Sequence, residues 1–177
     1  MSNQVILWTM LILPWITLFF MKKEDIKRFM PVGLLTAVTS AIIVESGITL
    51  RLWETQETIY PLNQMMPYVY GLSPVLSMWI MKYTYGRFVI YMVTNIILDI
   101  GFSYIFLPSL DNRGIFHFVR ATPLVAYLPT IPHTAVLYAY QIWQEGIYVR
   151  TERLQQASVI LQPGVAKYLD KDKQDES

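Results

Sequence analysis

From Phe88 to Leu107 the chain runs for twenty residues with one charged side chain, Asp99. A helix of that length rises about 30 Å, the thickness of a bilayer's hydrocarbon core. In water such a helix would have no polar face to turn outward, whereas lipid accepts it on every side. Four further stretches share this poverty of charge: 5–21, 29–50, 67–81 and 119–143. Charges gather between them, most densely in KKEDIKR at 22–28. The stretch 67–81 is short and holds Pro67 and Pro74, and the last is interrupted by Pro129, Pro132 and His133. Proline is tolerated in membrane helices where neighbours satisfy the freed carbonyls. The composition agrees, with 54% hydrophobic and 15% charged residues, against about 25% charged in soluble domains. The expected fold is all-α, a polytopic membrane bundle of five transmembrane helices over residues 1–143. A cytoplasmic tail, 144–177, follows, and its end, DKDKQDES, is too polar to order itself.

Basic residues set the expected orientation. Five crossings place Lys22, Lys23, Lys27, Arg28, Lys82, Arg87 and the five basic residues of the tail on one side. Only Arg51, Arg113 and Arg120 fall on the other. This predicts the N-terminus outside and the C-terminus in the cytoplasm of a bacterial plasma membrane. The first span lacks a basic leader and a small-residue cleavage site, so it is expected to remain as a helix. The chain has no cysteine, which excludes disulfides, thiolate metal sites and cysteine nucleophiles. A net charge of +1 gives no reason to expect nucleic acid as a partner. The expected partners are the lipid bilayer and a membrane protein or a second copy of the chain.

The candidate site lies among the intramembrane polar residues. An ionised acid at mid-bilayer costs about 2.5–3.5 kcal/mol on insertion scales, so Glu45 and Asp99 should face other helices or water. In the span at 88–107, Arg87, Tyr91, Asn95, Asp99 and Ser103 recur every fourth residue, drawing a polar stripe. Gly33, Ala37, Ala41, Glu45 and Thr49 do the same on the span at 29–50. Small residues at this spacing let helices approach and polar ones bond across the contact. Arg51 and Arg120 are candidate counter-charges at the outer ends. At about 1.5 Å per residue, Glu45, Asp99 and His133 lie roughly 8, 12 and 18 Å below the outer surface, a ladder suited to a proton path. The two acids are therefore either interhelical glue or members of a polar site for a proton, an ion or a small solute. Both sit in an I-I-apolar-acid-x-G hexapeptide, 42–47 and 96–101, either a duplicated hairpin or a coincidence of an Ile-rich chain.

No phosphate-binding glycine loop, zinc-protease motif or serine nucleophile elbow is present. No catalytic residue, cofactor or metal site is assigned, and two histidines without cysteine make a transition-metal site a poor expectation. Glu45 and Asp99 serving as acid and base for a lipid-soluble substrate is a remoter possibility. The segment 147–162 suits an amphipathic helix on the cytoplasmic face, a continuation of the fifth helix, or a docking element.

The order Leu13-Pro14-Trp15, an acid followed by Gly47-Ile48-Thr49-Leu50-Arg51-Leu52-Trp53, Tyr60-Pro61-Leu62, Leu72-Ser73-Pro74 and Lys82-Tyr83-Thr84-Tyr85 resembles a known pattern. It is similar to an uncharacterised family of small, about five-helix, multi-pass membrane proteins of spore-forming Gram-positive bacteria. The likeness covers about residues 5–143 and implies topology and compartment but no activity. The expected function is a non-enzymatic membrane component acting through association. The alternative is a transporter-like protein with a polar site around Glu45, Asn95 and Asp99.

Overall fold

The structure is a computed structural model that describes residues 2–62 and 66–146. Most of the expected tail, including 147–162, lies outside the described residues. The described chain is mostly helical. The first of two compact units covers Met1–Tyr138.

Helix α1, Asn3–Thr17, continues as a 3-10 turn through Phe20. The adjacent α2 spans Lys23–Thr49, with Glu24 and Asp25 in its first turn, where acidic side chains favour the positive end of the helix dipole. Helix α3, Leu72–Thr84, follows a 3-10 turn at Pro67–Val69. Next comes a 24-residue helical segment, Phe88–Asp111, made of α4 (Phe88–Gly101), a π turn at Phe102–Phe106 and α5 (Leu107–Asp111). Helix α6, Pro123–Tyr127, ends at a turn over 128–129, and residues 130–138 form α7. Pro129 sits in that turn and Pro132 in the first turn of α7, where a missing N–H costs nothing. The stretch 119–143 is thus not one uninterrupted helix.

Three segments are long and apolar enough to cross a membrane: Asn3–Phe20, Lys23–Thr49 and Phe88–Asp111. Their outward positions carry exposed Ile12, Ile16, Val38, Ile42, Val89 and Ile97, as lipid contact requires. Helix α3 has 13 residues, about 20 Å at 1.5 Å each. It is the central helix, with Val75, Ser77, Met78, Ile80 and Met81 all buried. Against α2, Gly33 meets Met78 and Thr36 donates to Ser77 at 3.0 Å. Against α1, Gly71 lies on the carbonyls of Met10 and Leu11, and the Trp15 indole donates to the Tyr70 carbonyl at 3.0 Å.

The two ends of the bundle differ. At one, Lys82 pairs with Asp25 at 3.4 Å, and the Arg28 guanidinium lies 4.9 Å from the centre of the Tyr85 ring. At the other, Asn3 donates to Glu57 at 2.7 Å and to the Arg113 carbonyl at 3.1 Å. An antiparallel ribbon covers that second end, departing from a purely helical fold. Its strands β1 (Trp53–Thr55) and β2 (Phe116–Phe118) pair Trp53 with Phe118 and Thr55 with Phe116. Strand alternation turns Trp53 and Phe116 inward and leaves Glu54 and His117 outside, as a period of two requires. Leu7, Met10, Val44, Tyr68, Leu107 and Leu110 pack beneath it.

The second unit begins at Ala139. Its residues 139–146 are helical, with Gln141 donating to Glu145 at 2.9 Å and the Tyr140 and Trp143 rings 5.8 Å apart.

Candidate functional site

A cavity of about 160 Å³ lies between α2, α3, α4 and α7, roofed by Trp53 and Phe116 of the ribbon. It holds Asn95 and Asp99 of the fourth-span stripe together with His133. Helix α4 brings Asn95 and Asp99 to the same face because they are four residues apart. Asn95 donates back to the Tyr91 carbonyl at 2.8 Å, so its side-chain oxygen is turned from the helix ladder. The Thr130 hydroxyl lies beside the Asp99 carboxylate, and its one proton goes either to that carboxylate or to the Tyr127 carbonyl at 2.8 Å. The break at Pro129 starts a new helix at Thr130, placing Thr130, His133 and Thr134 on one face opposite α4.

His133 Nε2 is 2.6 Å from the Thr39 hydroxyl. Thr39 also lies 2.7 Å from the Leu35 carbonyl. A hydroxyl has one proton, so when Leu35 takes it the imidazole donates through Nε2 and its Nδ1 remains an acceptor. Tyr91 is part of the stripe but not of the cavity: it is fully buried, and its hydroxyl donates to the Thr134 carbonyl at 3.2 Å. Its ring packs on that of Tyr138, 4.9 Å away. Ser103, the next step, is also buried, and its hydroxyl has no hydrogen-bond partner among the described residues.

Glu45 is not brought to this site. It is exposed, beside Ala41, Ser46 and Thr49 on another face of α2. The reason is helical geometry. Steps of four residues on a helix of 3.6 residues per turn drift by about 40° each, so three steps from buried Gly33 carry the stripe roughly 120° round. At Glu45's level, Val44 and Gly47 face inward instead. On α4, Asp99 is only two steps, roughly 80°, from buried Tyr91, and the π turn that follows at 102–106 returns Ser103 and Leu107 to the buried side. The proton ladder through Glu45, Asp99 and His133 therefore loses its first rung. The two similar hexapeptides are not equivalent either: Gly47 is pressed against Trp53, whereas Gly101 has open space beside it.

Neither candidate counter-charge reaches Asp99, and among the described residues neither forms an ion pair. Arg51 takes a left-handed conformation, φ 54°, and closes α2: its N–H meets the Ile48 carbonyl at 3.0 Å and that of Leu52 meets Gly47 at 2.9 Å. These two bonds form the helix-ending motif that usually employs glycine. Arg120 is exposed, with its backbone N–H on the Leu52 carbonyl at 3.1 Å.

Sequence reasoning missed the hydroxyls. Thr36, Ser40, Ser77, Thr130 and Thr134 all line the cavity, and a signal was available in the run Thr36-Ala37-Val38-Thr39-Ser40. It also missed the aromatic wall, whose members come from distant parts of the chain. Asp99 has room beside it and no cationic partner among the described residues. We expect Asp99→Asn to stay within about 1 kcal/mol of the wild type, or gain stability, in detergent unfolding. An acid held as half of a packing pair would lose about 3 kcal/mol or more.

No protein-family model, curated protein or solved structure matches the chain.

Proposed function

We propose that the chain is a five-crossing protein of a bacterial plasma membrane, N-terminus outside, whose Asp99–His133 cavity handles a proton, an ion or a small solute in the manner of a transporter site. The observation that carries this reading is the cavity itself. A carboxylate and an imidazole face room for several waters, each needing about 10–15 Å³ and two to four polar partners. Packing glue would fill that room. Asn95, Asp99, Thr130 and His133 keep partial exposure, so the space beside the acid is not filled by neighbouring side chains. The joining of loops 22–28 and 82–87 at one end, through Asp25 and Lys82, supports the orientation given by the basic residues.

The chain's lack of cysteine makes the test clean. Asp99→Cys in vesicles should react with a water-soluble methanethiosulfonate roughly tenfold or more faster than Ile97→Cys, which faces outward at 63% exposure, because thiolate forms only where water reaches. Equal, slow labelling of the two positions would leave Asp99 a dry packing residue.

A second reading, association with a membrane partner or a second copy, draws on one observation. Glu45 and its small neighbours face outward from α2 near the outer end, where a partner helix would relieve the carboxylate. Disulfide cross-linking of Ala41→Cys chains in vesicles, absent at any reagent concentration, would dispose of the two-copy form.

A further inference from the structure

We propose that the ligand of the Asp99 cavity is a small organic ammonium ion, an inference that rests on the reading of this cavity as a water-reachable site. The acid supplies a single negative charge. Among the described residues Asp99 is the only carboxylate lining the cavity, and neither lysine nor arginine does so. One acid with no fixed cation suits one monovalent positive charge, since divalent ions collect several carboxylates.

The walls then select among monovalent cations. Four aromatic side chains line the same space: Trp53, Tyr68, Phe102 and Phe116. Phe102 is three residues from Asp99 on one continuous helix, so the two are neighbours on its face. The Tyr68 ring stands edge-on to it at 5.1 Å between centres. Tyr68 is 7% exposed, and among the described residues its hydroxyl makes no hydrogen bond. An aromatic face attracts a cation through its quadrupole, and aromatic cages recognise alkylammonium ions. A sodium or potassium ion would instead call for oxygens on every side, and although hydroxyls line part of this cavity, the four rings leave such a shell incomplete. The volume, about 160 Å³, is near that of a cavity that admits one benzene, and so matches an ammonium ion with a few carbon atoms. Of the other lining oxygens, which include the hydroxyls of Thr36, Ser40, Ser77 and Thr134, those of Asn95, one turn from Asp99, and Thr130, beside it, suit the N–H groups of a primary or secondary amine.

Tetramethylammonium is the probe, with titration calorimetry of the purified full chain in detergent. Saturable binding should appear in the wild type, weaken at least roughly tenfold in Asp99→Asn, and weaken roughly two- to thirtyfold in Phe102→Leu. Potassium at equal concentration should not displace it. Both variants must elute as the wild type does on gel filtration, and Phe102→Tyr, which restores an aromatic face, should restore the affinity. If potassium displaces the probe and Phe102→Leu changes nothing, the ammonium assignment is overturned and a metal-cation site stands. If the probe fails to bind while the Asp99→Cys variant is labelled rapidly, the assignment is again overturned and the water-reachable cavity survives. If the Asp99→Cys variant is also inert to labelling, the cavity reading has failed, and this inference fails with it.

Discussion

Gly71→Ala should cost the bundle about 3 kcal/mol or more, at the upper end of what overpacking does to a core. A Cβ at this position would collide with the Met10 carbonyl oxygen, and would lie 2.6 Å from the Leu11 carbonyl and 2.7 Å from the Leu11 Cα. These are backbone atoms of α1, which cannot turn aside as a flexible side chain can. Relief requires α1 and α3 to separate, and separation would break the Trp15 bond to the Tyr70 carbonyl and the Trp79 bond to the Thr17 hydroxyl at 3.1 Å. Gly101→Ala is the control, because nothing lies within 4 Å of its added methyl. It sits inside a helix, where alanine is favoured by roughly 0.5–1 kcal/mol, so it should match or exceed the wild type. Equilibrium unfolding in mixed detergent micelles would show the contrast. Equal stabilities for the two variants would mean that the close crossing of α1 and α3 is not what holds the bundle's centre.

Gly47→Ala should cost about 2–3 kcal/mol and open the roof of the cavity. The new methyl would collide with the six-membered part of the Trp53 indole, a ring 6% exposed and tied by its N–H to the Val44 carbonyl at 3.3 Å. The Trp53 backbone is held in its pairing with Phe118, so the indole can retreat only by breaking its bond to Val44. The expected signature is therefore coupled: lower stability, and faster labelling of Asp99→Cys as water gains an entrance through the roof. Trp53→Phe removes the atoms that collide, so Gly47→Ala together with Trp53→Phe should cost less than the sum of the single changes, as contacting residues do. Additive costs would place the fault of Gly47→Ala elsewhere in α2.

Glu45 and Asp99 show how far the sequence could be read. Each stands on an every-fourth-residue stripe, and the two stripes look alike on paper. On α2, regular helix geometry carries the stripe off the packing face before it reaches Glu45. On α4, Asp99 lies only two steps from buried Tyr91, and a π turn beyond it, which no residue spacing announces, brings Ser103 back to the buried side. His133 was recognisable from the prolines around it, but its partner Thr39 was not, because the two are joined by the docking of α7 on α2. The aromatic wall was hidden for the same reason: Trp53, Tyr68, Phe102 and Phe116 are far apart in the chain and meet only when the ribbon closes over the helices.

The sequence by itself determined which stretches are apolar enough to cross a membrane, and three of them form helices long enough to do so. Charge-free stretches of bilayer length, and charges confined between them, follow from desolvation costs that act on each segment whatever its neighbours do. It also announced an interruption at Pro129 and Pro132, since proline acts on its own turn of backbone, and of the two only Pro129 lies in the break at 128–129. Only the tertiary structure decided that α3 is a short central helix rather than a lipid-facing one, that Glu45 turns outward, and that Asp99 shares a cavity with His133 and four aromatic rings. Those outcomes depend on rotation and packing between helices, where shifts of a few tens of degrees choose which residues meet. No local pattern of residue types carries that information.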